Sequence, residues 1–277
     1  MNLLFLGDVV GRAGRDAVLA HLPELRRRLA TDFVVVNGEN AAGGFGITEK
    51  IARDFFDAGV DCITTGNHVW DQKELVGAID RETRILRPLN FPEGTPGRGA
   101  AVFQAPRGRR VLVANVMGRL FMDPLDDPFA AVGHVLRQVR LGAGAGAGNG
   151  VDAVIVDVHA EATSEKMAMG HFCDGRASLV VGTHSHVPTA DLQILPGGTA
   201  YQSDAGMCGD YDSVIGMKKE VSIARFVRKL PTERMTPAEN EATVCGVFVR
   251  TDDRTGLGVR AEPVRIGGRL APHLPEA

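Results

Sequence analysis

The sequence of 277 residues contains few cysteines and no excess of basic residues. The four cysteines are widely spaced and form no C-x-x-C pair; they are Cys62, Cys173, Cys208 and Cys245. This spacing argues against a zinc knuckle and against a disulfide framework, and it favours free thiols of a cytosolic protein. The 31 Lys and Arg residues against 34 Asp and Glu residues give a net charge of −3. No general attraction to long nucleic acid or to an anionic membrane follows from that charge.

Long apolar runs are also missing. No segment approaches the roughly 20 apolar residues that a membrane-spanning helix needs. The opening stretch MNLLFLGDVVG has no basic start, and Asp8 interrupts its short apolar run, so it predicts a first strand better than a signal peptide. We therefore expect a cytoplasmic protein with no membrane partner. The length and the 44% of hydrophobic residues suffice for a sizeable core.

Two common catalytic motifs are absent. The glycines of GDVVGRAG follow a G-x-x-x-G-x-x-G spacing, and Asp8 would face the pyrophosphate of a bound dinucleotide. A dinucleotide-binding oxidoreductase needs G-x-G-x-x-G instead. The sequence also contains no G-x-S-x-G, the motif of a serine nucleophile in α/β-hydrolases. Both classes of enzyme are therefore disfavoured.

The first 70 residues alternate predicted strands with predicted helices. NLLFLGD, FVVVNGEN and DCITTGNH read as strands, residues 15–29 as a helix, and Thr48 as the cap of a helix that ends before Gly59. This alternation predicts parallel pairing in an α/β sheet. The strands are continuous apolar runs, which is typical of sheets covered on both faces.

The pattern changes after this point. Residues 79–98 read as a loop, AAVFQA and RVLVANV as a hairpin, and PFAAVGHVLRQVRL as a helix. Residues 142–150, GAGAGAGNG, predict a flexible surface insertion within one domain that spans residues 1–277. VDAVIVDVHAE and SLVVGTHSH are two further buried strands. The segments ADLQILP, TAYQSD, VCGVFVRT and GVRAEPVRI predict a second, more antiparallel set.

Polar side chains follow each of five central strands. Alone, Asp8 could cap a helix and the GNH segment could be a turn, whereas the two histidines of HSH would point the same way in an extended segment. Sites collect at the carboxyl ends of strands in open α/β sheets. Buried carboxylates and imidazoles are costly unless they are paired or bound to metal. Five such strand ends favour one shared metal site, and they carry Asp8, Glu39, Asn40, Asn67, His68, His159, His184 and His186.

The mixture of oxygen and imidazole ligands indicates the class of metal. Such ligands suit Mn, Fe or Zn better than Ca or Mg. Six or seven ligands exceed the needs of one tetrahedral ion, whereas two ions that share a bridging carboxylate would use them all. Two metals about 3.5–4 Å apart are a known arrangement for displacement at phosphorus.

The order of the segments GD, GEN, GNH, VHAE and GTHSH resembles that of the calcineurin-like metallophosphoesterase superfamily over residues 1–190. Two departures stand out. The first motif is usually D-x-H, but here Asp8 is followed by two valines. The second motif usually carries Asp, but here it carries Glu39 followed by Asn40.

These departures narrow the resemblance to the YmdB-like branch of that superfamily. GDVVGRAGR, NGENAAGGFGIT, TTGNHVWD, VHAEATSEK, GTHSHVPTAD and AGMCGDYDSVIGM carry it over nearly the whole chain. It implies an α/β four-layer sandwich, with two mixed β-sheets flanked by helices in a single domain. The antiparallel strands after residue 190 would complete the second sheet. The resemblance also suggests a homo-oligomer.

The resemblance implies a site with two metal ions per chain, divalent or mixed-valence, with Fe or Mn favoured and Zn still open. The first ion would be held by Asp8, Glu39, Asn40 and His186. The second would be held by Glu39, Asn67, His159 and His184, with Glu39 as the bridge. His68 would act as the general acid. The implied reaction is hydrolysis of small phosphodiesters, 2′,3′-cyclic nucleotides to 3′-nucleotides.

Other interpretations stay open at this stage. The same site could serve a phosphomonoesterase or a nuclease acting on RNA ends, although the low net charge argues against long nucleic acid. A regulatory protein that binds metal and signals through partners is an alternative of another class. Glu161 and Glu165 could orient His159 or cap the next helix. The loop at residues 203–217 could place Tyr211 against a base or serve only as a connection.

Overall fold

A computed structural model describes residues 1–142, 148–229 and 233–276 of the chain. The helices are α1 (Gly11–Arg28), α2 (Glu49–Asp57), α3 (Lys73–Ala78), α4 (Pro128–Gln138), α5 (Thr163–Cys173) and α6 (Lys219–Arg228). The first eight strands are β1 (Asn2–Leu6), β2 (Asp8–Val9), β3 (Phe33–Asn37), β4 (Cys62–Thr64), β5 (Ile85–Leu86), β6 (Ala100–Ala105), β7 (Arg109–Met117) and β8 (Arg140–Leu141). The others are β9 (Gly150–Val151), β10 (Ala153–His159), β11 (Leu179–Thr183), β12 (Gln193–Ile194), β13 (Ala200–Gln202), β14 (Met207–Cys208), β15 (Val244–Thr251) and β16 (Gly258–Ile266).

Two six-stranded sheets form the centre of the molecule. The first has the order β16-β15-β1-β3-β4-β5, with parallel pairing from β1 to β5 and an antiparallel hairpin of β15 and β16 beside β1. The second has the order β12-β13-β11-β10-β7-β6, with parallel pairing from β13 to β7 and antiparallel strands at both edges. Both sheets are therefore mixed, as expected from the sequence.

Side-chain alternation along the strands produces four layers. In β1, Leu3 and Phe5 face the other sheet and pack against Ile155 and Val181, whereas Leu4 and Leu6 face outward. The outward residues of the first sheet pack against α1, α2 and α3, and those of the second sheet pack against α4 and α5. This confirms the predicted four-layer sandwich, and the single domain over residues 1–277 stays a prediction.

The local signals placed several elements correctly. Thr48 caps α2, because its hydroxyl accepts from the Ile51 N–H at 3.2 Å. Asp127 caps α4 in the same manner, with Pro128 in the first turn. The predicted hairpin of β6 and β7 is present, with a short 3₁₀ turn at residues 106–108. None of the described helices is long and apolar enough to cross a membrane.

Other expectations were wrong in detail. The hairpin of β15 and β16 joins the first sheet beside β1 and does not complete the second. Strand β13 pairs parallel to β11, so the strands after residue 190 are not uniformly antiparallel. Helix α1 begins at Gly11, four residues earlier than expected, and the expected loop at 79–98 contains the edge strand β5. Pairing partners depend on contacts distant in sequence, which strand patterns do not specify.

The Gly/Ala insertion predicted at 142–150 falls partly outside the described residues, which omit 143–147. Its two ends are close together, because β8 and β9 pair in parallel on either side of it. The Gly142 N–H donates to the Val151 carbonyl at 2.9 Å. Residues 140–142 therefore lie next to residues 150–151.

Candidate metal centre

The seven predicted ligand residues lie together at the carboxyl ends of the central strands. Asp8 belongs to β2, which directly follows β1 and is fixed by its pairing with β14. The remaining six come from the loops after β3, β4 and β11 and from the end of β10. Asn67 and His184 are half-buried, and the other five are buried, namely Asp8, Glu39, Asn40, His159 and His186.

One group of potential ligands surrounds the inner nitrogen of His159. Glu39, His159 and His184 each offer an atom, and these atoms lie within 4.8 Å of one another. The His159 Nε2 atom is 3.1 Å from Glu39 Oε1, 3.1 Å from His184 Nδ1 and 2.9 Å from Asn67 Oδ1. Four potential ligand atoms from four strand ends therefore converge on one small volume.

A second group contains Asp8, Glu39 and His186, whose ligand atoms also lie within 4.8 Å of one another. The His186 Nε2 atom is 3.1 Å from Asn40 Oδ1 and 3.9 Å from Asp8 Oδ1. The Asn40 amide nitrogen donates to the Gly44 carbonyl at 3.1 Å, which turns its oxygen toward His186. Glu39 belongs to both groups, so its carboxylate lies between them.

Hydrogen bonds outside the site fix the orientation of all three histidines. Thr183 donates its hydroxyl proton to Asp157 at 2.7 Å, so its oxygen accepts from Nδ1 of His159 at 2.9 Å. His186 Nδ1 donates to the Ile215 carbonyl at 2.8 Å, and His184 Nε2 faces the Glu161 carboxylate at 3.2 Å. In the neutral imidazoles each outer nitrogen then carries the proton, and each inner nitrogen presents a lone pair.

This arrangement fits a cation. The two amide oxygens, the two carboxylates and, once deprotonated, the inner imidazole nitrogens are acceptors, and they face one another at distances that need a positive charge, which a proton or a metal ion can supply. The ligands are oxygen and imidazole nitrogen without thiolate, which suits a divalent transition metal. The fold and these ligand groups together indicate a site for divalent metal ions.

In the metal-free site, burial and the attraction between neighbouring charges shift the pKa values of Asp8, Glu39 and His159. Burial raises the pKa of Asp8 to about 7 against the opposing effect of His186 and His159. Burial disfavours both charged partners in the pair of Glu39 and His159, but their attraction outweighs it. The pKa of Glu39 falls to about 2, and that of His159 rises to about 9. A metal ion must displace the proton from His159, so its binding releases protons.

The loop that carries His184 and His186 is not the extended segment expected from the sequence. Both residues have left-handed backbone conformations, with φ of 94° and 66°. Such conformations cost roughly 1–3 kcal/mol each for residues other than glycine, and they persist only where the surroundings enforce them. Because of this backbone, the two imidazoles reach different ligand groups.

Gly66 gives the ligands the space that they occupy. A Cβ atom at this position would lie 2.3 Å from Glu39 Oε2 and 2.3 Å from His159 Nε2. Residue 66 precedes Asn67 in the GNH segment, so the main chain of that segment runs directly against the ligands. Only glycine fits this approach.

His68 lies at the edge of the site with its ring half-exposed. Its backbone N–H donates to Glu39 Oε2 at 3.2 Å, which ties it to the shared carboxylate. Its Nδ1 atom is 2.9 Å from the Asp71 carboxylate, and its ring meets Phe45 edge-on at 5.1 Å between centroids. With Nδ1 bound to Asp71, Nε2 is the nitrogen available for proton transfer.

Sequence reasoning missed a buried network between the two sheets. Asn37 on β3 donates to Asp157 on β10 at 2.9 Å and accepts from the Glu39 N–H at 3.1 Å. Asp157 in turn positions His159 through Thr183. The signal was present, because Asn37 and Asp157 are polar residues within otherwise apolar strands. Burial raises the pKa of the Asp157 carboxyl.

The structure also shows the contacts of Glu161, Glu165 and the 203–217 loop, whose roles the sequence left open. Glu161 contacts His184 rather than His159. Glu165 accepts from the backbone N–H groups of Arg119 and Leu120, so it orients a loop and no ligand. The 203–217 loop is more than a connection, since its Ile215 carbonyl orients His186. Its Tyr211 donates to the His186 carbonyl at 3.1 Å and so supports the two-histidine loop.

Comparison with known protein families agrees with the resemblance seen in the sequence motifs. The family model described as YmdB-like protein matches residues 4–264. The chain belongs to the YmdB-like family. This membership confirms the resemblance drawn from the sequence motifs.

Individual relatives match over almost the full length. A protein of Bacillus subtilis (strain 168) named 2′,3′-cyclic-nucleotide 2′-phosphodiesterase is 47% identical, over 96% of this chain and 97% of its own. A hypothetical protein from Thermus thermophilus has a crystal structure with a TM-score of 0.88 at 43% identity, covering 97% of this chain and 100% of the other. A phosphatase from Mycoplasma pneumoniae gives a TM-score of 0.87 at 34% identity, covering 96% and 93%. The two solved structures confirm the predicted fold, and the Bacillus subtilis relative confirms the prediction of a phosphodiesterase.

Proposed function

We propose that this chain hydrolyses small phosphodiesters at the metal centre, and that 2′,3′-cyclic nucleotides are opened there to 3′-nucleotides. The observation that carries the proposal is the pair of ligand groups that share Glu39, with His68 hydrogen-bonded to the same carboxylate. The name of the Bacillus subtilis relative supports the substrate class.

In this proposal the two groups hold one ion each. Asp8, Asn40 and His186 would hold the first ion, Asn67, His159 and His184 would hold the second, and Glu39, which belongs to both groups, would be shared between them. Oxygen and imidazole ligands favour Fe or Mn, with Zn as the alternative. When bound, such ions would lower the pKa of water and offset negative charge on the phosphoryl oxygens.

The residues of the chain then have separate tasks. Asn67 offers a neutral amide oxygen, so it adds no negative charge that would repel a phosphodiester. As a water oxygen bonds to phosphorus and the bond from phosphorus to the ribose O2′ breaks, His68 gives its Nε2 proton to O2′. Asp71 keeps the His68 ring oriented through its contact with Nδ1, which leaves Nε2 for the proton transfer. Proton transfer of this kind typically contributes about 10²–10⁴-fold to the rate.

The direct test combines metal analysis with product identification. Protein purified without added metal is analysed for metal per chain and then incubated with 2′,3′-cyclic AMP. The proposal expects two ions per chain and 3′-AMP as the product. Formation of 2′-AMP, or one ion or fewer in the active protein, would contradict the bond assignment or the bridging role of Glu39.

The alternative functions predict different results in activity assays. A phosphomonoesterase would prefer p-nitrophenyl phosphate to bis-p-nitrophenyl phosphate, and a nuclease acting on RNA ends would turn over short oligonucleotides faster than cyclic mononucleotides. A regulatory protein would bind metal and hydrolyse no diester. We place the activity in the cytoplasm, because all four cysteines lie buried as free thiols. Homo-oligomerisation stays a prediction.

A further inference from the structure

A buried ion pair lies beneath the loop that carries His184 and His186. The Lys166 Nζ atom is 2.9 Å from the Asp204 carboxylate, and the two side chains are 2% and 1% exposed. Lys166 comes from the first turn of α5, which follows the ligand strand β10, and Asp204 follows β13. The pair therefore joins the first turn of α5 to the segment after β13. The metal centre described above does not include it.

Both members of the ion pair are hydrogen-bonded to Ser185, the one residue between His184 and His186. The Asp204 Oδ2 atom accepts from the Ser185 N–H at 3.1 Å and from the Ser185 hydroxyl at 2.7 Å. Lys166 Nζ also lies 2.9 Å from the Ser185 hydroxyl oxygen. We call the side chains of Lys166, Ser185 and Asp204 the clamp.

The other contacts of Asp204 make it rigid. Its Oδ1 atom accepts from the Gly206 N–H at 2.8 Å, and its backbone exchanges hydrogen bonds with Thr189 on the far side of the loop. The stem of Lys166 packs against Gly182, where an added Cβ would lie 2.7 Å from Lys166 Cδ. The clamp is thus anchored both before and after the two histidines.

We propose that the clamp is a positioning element of the metal centre, which enforces the left-handed backbone at His184 and His186. Left-handed conformations of non-glycine residues persist only where surrounding contacts determine them. The clamp supplies such contacts at Ser185, between the two strained residues. The enforced backbone also aims the His184 N–H at Asp8, at 3.2 Å. The two imidazoles consequently reach different ligand groups.

A carboxylate and a lysine suit this task better than neutral groups. One carboxylate oxygen of Asp204 accepts from both the backbone and the hydroxyl of Ser185 while it contacts Lys166. A buried carboxylate without its lysine would be strongly unfavourable, so each partner requires the other. The inference rests on the proposed function only in that the site binds metal ions.

The test compares metal binding with folding stability. Asp204→Asn and Lys166→Met should each weaken binding of Mn²⁺ about 10–100-fold, the range for residues that orient metal ligands. The visible absorption of the Co²⁺-loaded protein should change as well, since it reports the arrangement of the imidazoles. Thermal unfolding of the metal-free proteins measures stability separately.

Asp174→Asn is the matched control. Asp174 follows the other end of α5, and its carboxylate likewise accepts two backbone N–H groups, from Gly197 at 2.7 Å and Thr199 at 3.2 Å. It lies at the opposite ends of the strands from the ligands. This variant should lose stability while Mn²⁺ affinity and the Co²⁺ spectrum stay unchanged.

The double variant Lys166→Met/Asp204→Leu decides between positioning and plain stability. Apolar replacement of a buried pair often preserves stability, so this protein should fold even where a single variant does not. Our proposal expects its Mn²⁺ affinity to stay low despite restored stability. Normal affinity in this variant or in Asp204→Asn would overturn the proposal, as would an equal loss in Asp174→Asn. If the variants lose Mn²⁺ affinity as expected but the wild-type protein hydrolyses no diester, the positioning role of the clamp stands and only the proposed function is contradicted.

Discussion

His159 and Thr183 are hydrogen-bonded through Nδ1 and Oγ1 over 2.9 Å, at the ends of the neighbouring strands β10 and β11. The bond fixes which nitrogen of His159 faces the ligands, because the threonine hydroxyl must donate to Asp157. The candidate metal centre therefore depends on a hydroxyl that contacts Nδ1 of His159, whereas the ligand atoms surround Nε2. His184 and His186 are oriented in the same way, because the outer nitrogen of His184 contacts Glu161 and that of His186 contacts the Ile215 carbonyl.

Thr183→Val should separate this orienting role from simple packing. The substitution keeps the shape of the side chain and removes the hydroxyl, so His159 loses its acceptor and Asp157 loses a donor. We expect metal affinity to fall about 10–100-fold and the free energy of unfolding to fall by about 1–3 kcal/mol. Metal titration and thermal unfolding measure the two effects. Thr183→Ser, which retains the hydroxyl, is the control, and equal affinities in the two variants would contradict the orienting role.

Gly66→Ala should remove the metals without changing any ligand. The new methyl group would overlap Glu39 Oε2 and His159 Nε2, each only 2.3 Å from its position. Metal analysis should find little metal in this variant, and turnover should be lost. Gly77→Ala in α3 is the control, since no atom lies within 4 Å of its added Cβ, and helix propensity should stabilise it by roughly 0.5–1 kcal/mol. Full metal content in Gly66→Ala would show that the ligands can shift aside.

The membership of the site could be predicted from the sequence because of a general property of parallel sheets. Parallel strands of one sheet bring their carboxyl ends to one side, so Asp8 could be placed with Glu39, and His159 with the later histidines, although they lie far apart in the chain. The face-to-face packing of the two sheets then brings these two sets together. The burial of these strands on both faces was equally readable from their unbroken apolar runs.

The rest depends on geometry that local patterns do not encode. The left-handed backbone at His184 and His186 arises from contacts with Asp204, which lies many residues later. The partner of β15 is β1, at the opposite end of the chain, and nothing within either strand specifies that pairing. Neither role considered for Glu161, orienting His159 or capping the next helix, includes its contact with His184, because its neighbours in sequence are not its partner in space.

Glu39→Gln and His186→Ala should differ in how many ions are lost. Glu39 belongs to both ligand groups and His186 to one, so the first variant should bind neither ion tightly and the second should retain one. Metal analysis of each protein gives the count. Binding to the folded state stabilises it by about 2.7 kcal/mol at 100 times Kd, so Mn²⁺ should raise the unfolding temperature of His186→Ala but not of Glu39→Gln. One retained ion in Glu39→Gln would rule out the bridging carboxylate.

His68→Ala should lose activity in proportion to how poor the leaving group is. A ribose oxygen needs a proton as it leaves phosphorus, whereas p-nitrophenolate leaves readily without one. We therefore expect about a 10²–10⁴-fold loss of kcat on 2′,3′-cyclic AMP and a much smaller loss on bis-p-nitrophenyl phosphate. Steady-state rates on the two substrates, with metal content measured in the same samples, provide the comparison. Asp71→Asn should show the same preference more weakly, because it removes the charge that holds the His68 ring and leaves the imidazole in place. If His68→Ala loses both activities equally and its metal content falls with them, His68 is a ligand and the proton must come from another group.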